Sequence, residues 1–246
     1  MQGQDLKQQR DSYLTFALAA ADVLISSDDQ NRITQVVGAT NTLLGGCAED
    51  LTGRDVLSLF EGAEAIYIVH LIKNAKAAGR IGPCIVSLTP RSGDAAFVNM
   101  GMMSRPGSDG VHMTFTVLPP HIVKYIPRRE RATGLLDRGA FQQIVAGMAR
   151  PFDSGSGSQM LNELRMIRLE GLPSNLERLP SAKSKLVMAE IGAYIRAQST
   201  EGGIAAQLNG DRFGIIASAS SPLLSFHLYA LTLVIYCERR VWRIQR

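Results

Sequence analysis

Few residues in this chain have the type and spacing for chemistry. Cys47, Cys84 and Cys237 are odd in number and widely separated, with no Cys-x-x-Cys pair. That pattern excludes a disulfide framework and a zinc site, and reads as free thiols of a reducing compartment. His70 stands alone beside Tyr67 and Lys73 in a stretch of helical periodicity, the setting of a partly exposed helix residue hydrogen-bonded to water. The densest polar group is Asn209-Gly210-Asp211-Arg212, between two apolar β-branched runs; Asn-Gly there is a common hairpin turn pair. Arg168 and Glu170 lie at the end of another apolar run, residues 164–169.

These residues need elements to hold them. Residues 4–20 carry Leu6, Tyr13, Leu14, Ala17 and Leu18 at helical spacing, free of glycine and proline, and predict a leading helix. Short runs at 22–26 and 32–37 flank Ser27-Asp28-Asp29-Gln30-Asn31, the composition of a hairpin turn. Short helical pieces follow at 41–44, 48–51 and 56–60, then a longer helix over 64–78 that stops at Gly79. Three strands are predicted at 84–89, 95–104 and 111–118. In the last, Val111, Met113, Phe115 and Val117 alternate with His112, Thr114 and Thr116, so that one face packs and the other is wetted. The result is an α+β unit with a five-stranded antiparallel sheet and helices on one face.

Beyond it, Pro119, Pro120 and Pro127 bracket a linker, because proline removes an amide donor and disfavours helix in its predecessor. A helix then ends near Arg150, and residues 153–158 form a Ser/Gly loop. Residues 164–169 read as a buried strand, 181–198 as an amphipathic helix, and 204–208 with 213–217 as the hairpin. The predicted layout is a leading helix (1–20), a sensor-like domain (21–118), a Pro/Arg-rich linker (119–131), an α/β domain (132–217) and an apolar, then basic, tail (218–246).

The element order over residues 14–118 resembles the PAS family. Supporting residues are Ala21-Asp22-Val23-Leu24-Ile25 leading into Asp29-Gln30-Asn31-Arg32-Ile33, and Leu51-Thr52-Gly53-Arg54 before the short helix at 56–60. The resemblance implies a module that senses a small molecule or a partner, with a cavity between the sheet and the long helix. It also makes His70 a candidate haem ligand. Cys47 and Cys84 lack the Asn-Cys-Arg setting of flavin photosensors and read as small core or loop residues, so no cofactor is expected.

The second half is similar to the GGDEF family of diguanylate cyclases, in degenerate form. Thr133-Gly134-Leu135-Leu136-Asp137-Arg138-Gly139-Ala140-Phe141 looks like that family's opening "TGL-x-NR-x-x-F", and Gln207-Leu208-Asn209-Gly210-Asp211-Arg212-Phe213 like its "R-x-GGDEF" hairpin. Nucleotidyl transfer needs carboxylates that hold divalent metals against a triphosphate. The resemblance implies that Arg168 occupies the first metal-aspartate position, Arg212 the catalytic glutamate and Asn209 the first glycine. Leu176 and Lys185 fall near the guanine-reading positions. The product-inhibition motif would lie at Thr200 and Gly203 and is absent. Glu170, Gly210 and Asp211 remain without a metal role, so neither metal binding nor catalysis is expected.

Composition sets the remaining bounds. The 246 residues are 46% hydrophobic and 20% charged, with a mean hydropathy of +0.04, which excludes a disordered or collagen-like chain. Residues 1–126 hold 10 basic and 12 acidic side chains against 16 and 10 in residues 127–246, a local net charge of +6. The arginines there are scattered without interleaved aromatics, so solvated faces are expected rather than a nucleic-acid surface. Residues 1–12 are polar and 14–25 short and interrupted by Asp22, which predicts no secretory signal and a cytoplasmic protein. Residues 213–237 carry no formal charge, but Pro222 and His227 interrupt them, favouring a strand and packed helix over a membrane tail. Only 33 residues follow Phe213, so the domain is expected to be incomplete at its C-terminus. The expected function is non-catalytic signalling in the cyclic-di-GMP system, as a homodimer with other signalling partners and a possible small-molecule ligand. The alternatives are the regulatory portion of a GGDEF/EAL phosphodiesterase, or an active cyclase.

Overall fold

A computed structural model describes residues 2–89, 95–105, 107, 110–148, 162–218 and 235–239. The chain divides into two units, Met1–Tyr125 and Ile126–Arg246. The turn residues at 90–94, 106 and 108–109, the Ser/Gly loop at 153–158 and the apolar stretch at 219–234 lie outside the described residues.

In the first unit a leading helix, α1 (Gln2–Ala20), enters the strand β1 (Val23–Ser27). Asp28 reverses the chain, its carboxylate accepting hydrogen bonds from the amides of Gln30 and Arg32 at 3.0 and 2.8 Å, while Asn31 takes the left-handed φ of 62° that short polar side chains tolerate. The strand β2 (Ile33–Gly38) returns beside β1. Then come α2 (Thr40–Leu44), α3 (Ala48–Leu51), a 3-10 turn at Val56–Leu59 capped by Asp55, and the long helix α4 (Ala63–Ala78), which stops at Gly79. Three strands complete the unit: β3 (Arg80–Leu88), β4 (Ala96–Met103) and β5 (Val111–Val117). The sheet order is β2-β1-β5-β4-β3 and every pairing is antiparallel. The first strand therefore lies between the second and the last, and the sheet closes only after the whole unit has been made.

Tyr67, Ile68, Leu71, Ile72 and Ala75 form the buried stripe of α4. Val86, Val98, Met100, Met113 and Phe115 are buried strand residues, and Phe115 meets Phe60 at a ring separation of 6.5 Å. Each large apolar side chain fully buried there contributes roughly 1.5–3 kcal/mol.

The second unit starts inside the stretch read from sequence as a linker. Pro120 opens the short helix α5 (Pro120–Val123) at the end of the first unit, where its missing amide costs nothing. Arg129 then donates to the carbonyls of Gly134 and Gly203 at 3.3 and 2.7 Å, tying the chain to the second unit. The helix α6 (Arg138–Met148) begins at Asp137, whose carboxylate accepts from the amide of Ala140 at 2.8 Å. There follow β6 (Asn162–Leu169), α7 (Leu172–Glu177), α8 (Ser181–Ala197), a 3-10 turn at Thr200–Gly202, and the strands β7 (Ala205–Asn209), β8 (Arg212–Ser218) and β9 (Ile235–Arg239).

The second sheet has the order β7-β8-β6-β9 with antiparallel neighbours throughout. β8 thus separates β6 from β7, which run parallel and are joined through α7 and α8: a split βαβ arrangement. One expectation changes: part of the stretch read as a tail supplies the strand β9, which pairs with the edge of β6 that β8 leaves open.

Both faces of this sheet are covered. Ile167, Leu169, Phe213, Ile215 and Ala217 pack with Ile191 and Ile195 of α8. On the opposite face Ala206, Ile216 and Leu164 pack with Phe141, Ile144 and Val145 of α6. Gly214 makes the second contact possible, since a Cβ there would lie 2.7 Å from the ring of Phe141. Replacing Gly214 by Val should displace that ring and destabilise the unit by about 1–3 kcal/mol, read as a lower midpoint in urea unfolding. Ile216→Val, which keeps the ring seated, should cost about 0.5–1.5 kcal/mol.

Candidate functional site

The polar residues singled out from the sequence converge at one end of the second sheet. β6 and β8 run antiparallel with Arg168 directly opposite Arg212, so two cations share a face of the pair, an arrangement that is unfavourable alone. Asp211 relieves it. Arg168 Nε donates to Asp211 Oδ2 at 2.9 Å, with the two side chains 51% and 22% exposed. The amide of Leu169 also donates to the carbonyl of Asp211 at 2.8 Å, pinning the hairpin tip to the end of β6. The Arg168 hydrogen bond is the main reason that the Asp211 carboxyl lies below its ordinary range, with the charges of Arg168 and Arg212 adding to it.

The tip differs from the expected Asn-Gly turn. Asn209 pairs with Arg212 in the strands, leaving Gly210 and Asp211 as the two-residue loop, and neither has a positive φ. A Cβ on Gly210 would approach only Pro173, at an ordinary 3.7 Å. Backbone geometry does not require the glycine.

A divalent cation needs several oxygen donors, and the groups here do not fit one. Asp211 is held by a guanidinium, Arg212 stands across from Arg168, and Glu170 is exposed in the turn after β6. Among the described residues no three His, Cys, Asp or Glu side chains gather as a metal site. Leu176 packs on the core beneath α8, whereas Lys185 is exposed on α8. The two helices are tied together beside them by Ser184 Oγ, which donates to the Leu176 carbonyl at 2.7 Å. Thr200 and Gly203 lie in a turn whose carbonyls are already engaged: Gly202 by the buried Arg196 at 3.1 Å and Gly203 by Arg129.

In the first unit His70 is half-buried beside the packed stripe of α4, away from the face that holds Tyr67 and Leu71. Cys84 is buried in β3 opposite Met100. Cys47 donates its thiol proton to Asp50 Oδ2 at 3.0 Å, and this bond raises its pKa, which disfavours the reactive thiolate. The three do not converge on a common site. Cys237 is in β9 of the other unit.

Sequence reading missed a groove beside the hairpin. Arg138, Phe141 and Val145 on α6 face Leu164 and Met166 of β6, Leu208 of β7 and Arg212 of β8 around a cavity of about 440 Å³. The available signal was the i, i+3, i+7 spacing of Arg138, Phe141 and Val145, which lies along one side of a helix.

The fold thus defines a protein of two mixed helix-and-sheet units, the first with a five-stranded antiparallel sheet and the second with a split βαβ sheet. No protein-family model and no curated protein matches the chain. Solved structures similar to part of it include PAS and LOV domains. The PAS domain of a protein from Colwellia psychrerythraea shares 17% identity over 43% of this chain and 97% of its own, with a TM-score of 0.37. A domain of a sensory box sensor histidine kinase/response regulator from Geobacter sulfurreducens shares 17% over 45% and 96%, at 0.37. The LOV domain of the blue-light photoreceptor aureochrome1 shares 16% over 45% and 86%, at 0.37. Among the described residues no helix is long and apolar enough to cross a membrane.

Two outcomes follow from the hairpin geometry. In carboxyl-detected NMR the Asp211 titration should lie below that of a free aspartate in the native chain and move up toward it in Arg168→Ala. The folded-state pKa lies below the unfolded one, so the stabilisation is present above the ordinary aspartate range and is lost as pH falls through the folded value. Gly210→Ala should leave the fold intact and stabilise it by about 0.4–1 kcal/mol through the unfolded chain, measured by thermal melting.

Proposed function

We propose that this chain is a non-catalytic signal-transduction protein. In this reading the first unit is a PAS-like sensor of a small molecule or partner, and the second is a degenerate GGDEF-like unit that transmits or scaffolds within cyclic-di-GMP signalling. Support for the first part is the order of two strands, short helices, a long helix and three strands around a five-stranded antiparallel sheet. Support for the second is the β7-β8 hairpin set against β6, which brings position 168 beside positions 211 and 212.

One observation carries the claim against turnover: the ion pair of Arg168 with Asp211. The GGDEF resemblance requires a metal-binding carboxylate at position 168. A guanidinium is there instead, and it engages the acidic residue left in the hairpin. Triphosphate chemistry draws on metal ions to offset developing charge, and among the described residues no three His, Cys, Asp or Glu side chains gather to hold one. The reading predicts that the full chain incubated with GTP and Mg²⁺ or Mn²⁺ forms no cyclic di-GMP by liquid chromatography. Turnover that disappears in Asp211→Ala would overturn it.

Homodimerisation through α1 belongs to the same proposal. Tyr13 and Phe16 are 64% and 71% exposed on that helix, with Leu14 and Leu18 half-buried beside them, an apolar set suited to a second copy. Sedimentation velocity should find a dimer that weakens in Tyr13→Glu/Phe16→Glu. A monomer at every concentration tested would refute this part.

A further inference from the structure

The groove between α6 and the β7-β8 hairpin has the features of a ligand site, and we propose that it binds a small amphipathic molecule with an oxyanion head, a carboxylate or a phosphate. The proposal does not depend on any family resemblance. Its volume of about 440 Å³ lies within the span of small-molecule pockets, roughly 300–1,000 Å³. Phe141, Val145, Leu164, Met166 and Leu208 supply an apolar wall, and Met166 brings the adaptability of an unbranched thioether.

The polar lining has one sign. Arg138 and Arg212 line the groove, accompanied by Gln142 and Asn209, with no acidic side chain among the described residues that line it. Both arginines are exposed. Unlike Arg168, which is committed to Asp211 at 2.9 Å, neither guanidinium is hydrogen-bonded among the described residues, although the charge of Arg212 also acts on Asp211. Their stems can cover apolar surface while their guanidiniums remain at its edge. Two planar forks beside an apolar cleft match an oxyanion with a hydrocarbon body, because guanidinium binds carboxylate or phosphate oxygens in pairs. A neutral apolar ligand would leave both charges unused, and a cation would be repelled by both.

The test is calorimetric titration of the full chain with decanoate, decyl phosphate and decanol, each below its self-association concentration. Decanoate or decyl phosphate, or both, should bind one per chain, and decanol at least roughly tenfold more weakly. A preference of roughly tenfold for one acid identifies the head as carboxylate or phosphate, and equal binding assigns the selection to charge. Arg138→Gln/Arg212→Gln should lose roughly tenfold or more in affinity for the acids, while Arg128→Gln, exposed and outside the groove, should not change it. Both arginines are exposed, so the double variant should keep its circular dichroism spectrum and melting point. Val145→Trp, which fills the cleft, should abolish binding even with both arginines present. The proposal is overturned by decanol binding as tightly as the acids, by acid affinity unchanged in the double variant or in Val145→Trp, or by no binding of either acid at about 1 mM.

Discussion

The guanidinium of Arg168 governs the end of the second sheet. Antiparallel pairing places it opposite Arg212, and an uncompensated pair of cations across a ladder opposes the register that creates it. Asp211 removes the conflict because the hairpin turns at Gly210 and Asp211, presenting the carboxylate to Arg168 at 2.9 Å. The backbone bond from Leu169 to the Asp211 carbonyl holds the tip in the same place. Hairpin position, local charge and the neighbouring groove all depend on this junction. Arg212, whose charge also acts on Asp211, lines the neighbouring groove.

The remainder of β6 serves two different surroundings. Toward α8 it presents Glu163, Arg165, Ile167 and Leu169, all buried, and Arg165 Nε meets Glu163 Oε2 at 3.3 Å. Toward α6 it presents Leu164 and Met166, which line the groove, before reaching the exposed Arg168. A buried ion pair adds little net stability compared with well-packed apolar residues, yet removing one partner is costly because it strands the other. Arg196 follows the same logic: almost fully buried in α8, it satisfies the carbonyl of Gly202 in the turn that leads into β7. One buried cation, Arg196, thus ties the connection between α8 and β7.

The first unit relies on a simpler constraint. Its earliest strand is flanked by the second and the last, so β1 is satisfied on both edges only when β5 arrives. The stripe on α4 then covers the sheet with Tyr67, Ile68 and Leu71. His70 stands beside that stripe. Three positions beyond Tyr67, it falls outside the set 67, 68, 71, 72 and 75 that the helix buries.

Local pattern alone determined much of this protein. The alternation of Val111, Met113, Phe115 and Val117, the Asp28 turn, the stop at Gly79 and the apolar runs at 164–169 and 213–217 each encode an element through contacts within a few residues. Short helices at Pro120–Val123 and Leu172–Glu177 escaped because each is little more than one turn and contains proline near its start. Partners distant in sequence were settled only by tertiary structure: β9 on β6, Arg129 on Gly203, Arg168 on Asp211 and Arg138 across the groove from Arg212. Periodicity records which face a side chain takes. It does not record which strand arrives beside that face, or whether a buried arginine finds the carbonyl or carboxylate that makes its burial tolerable.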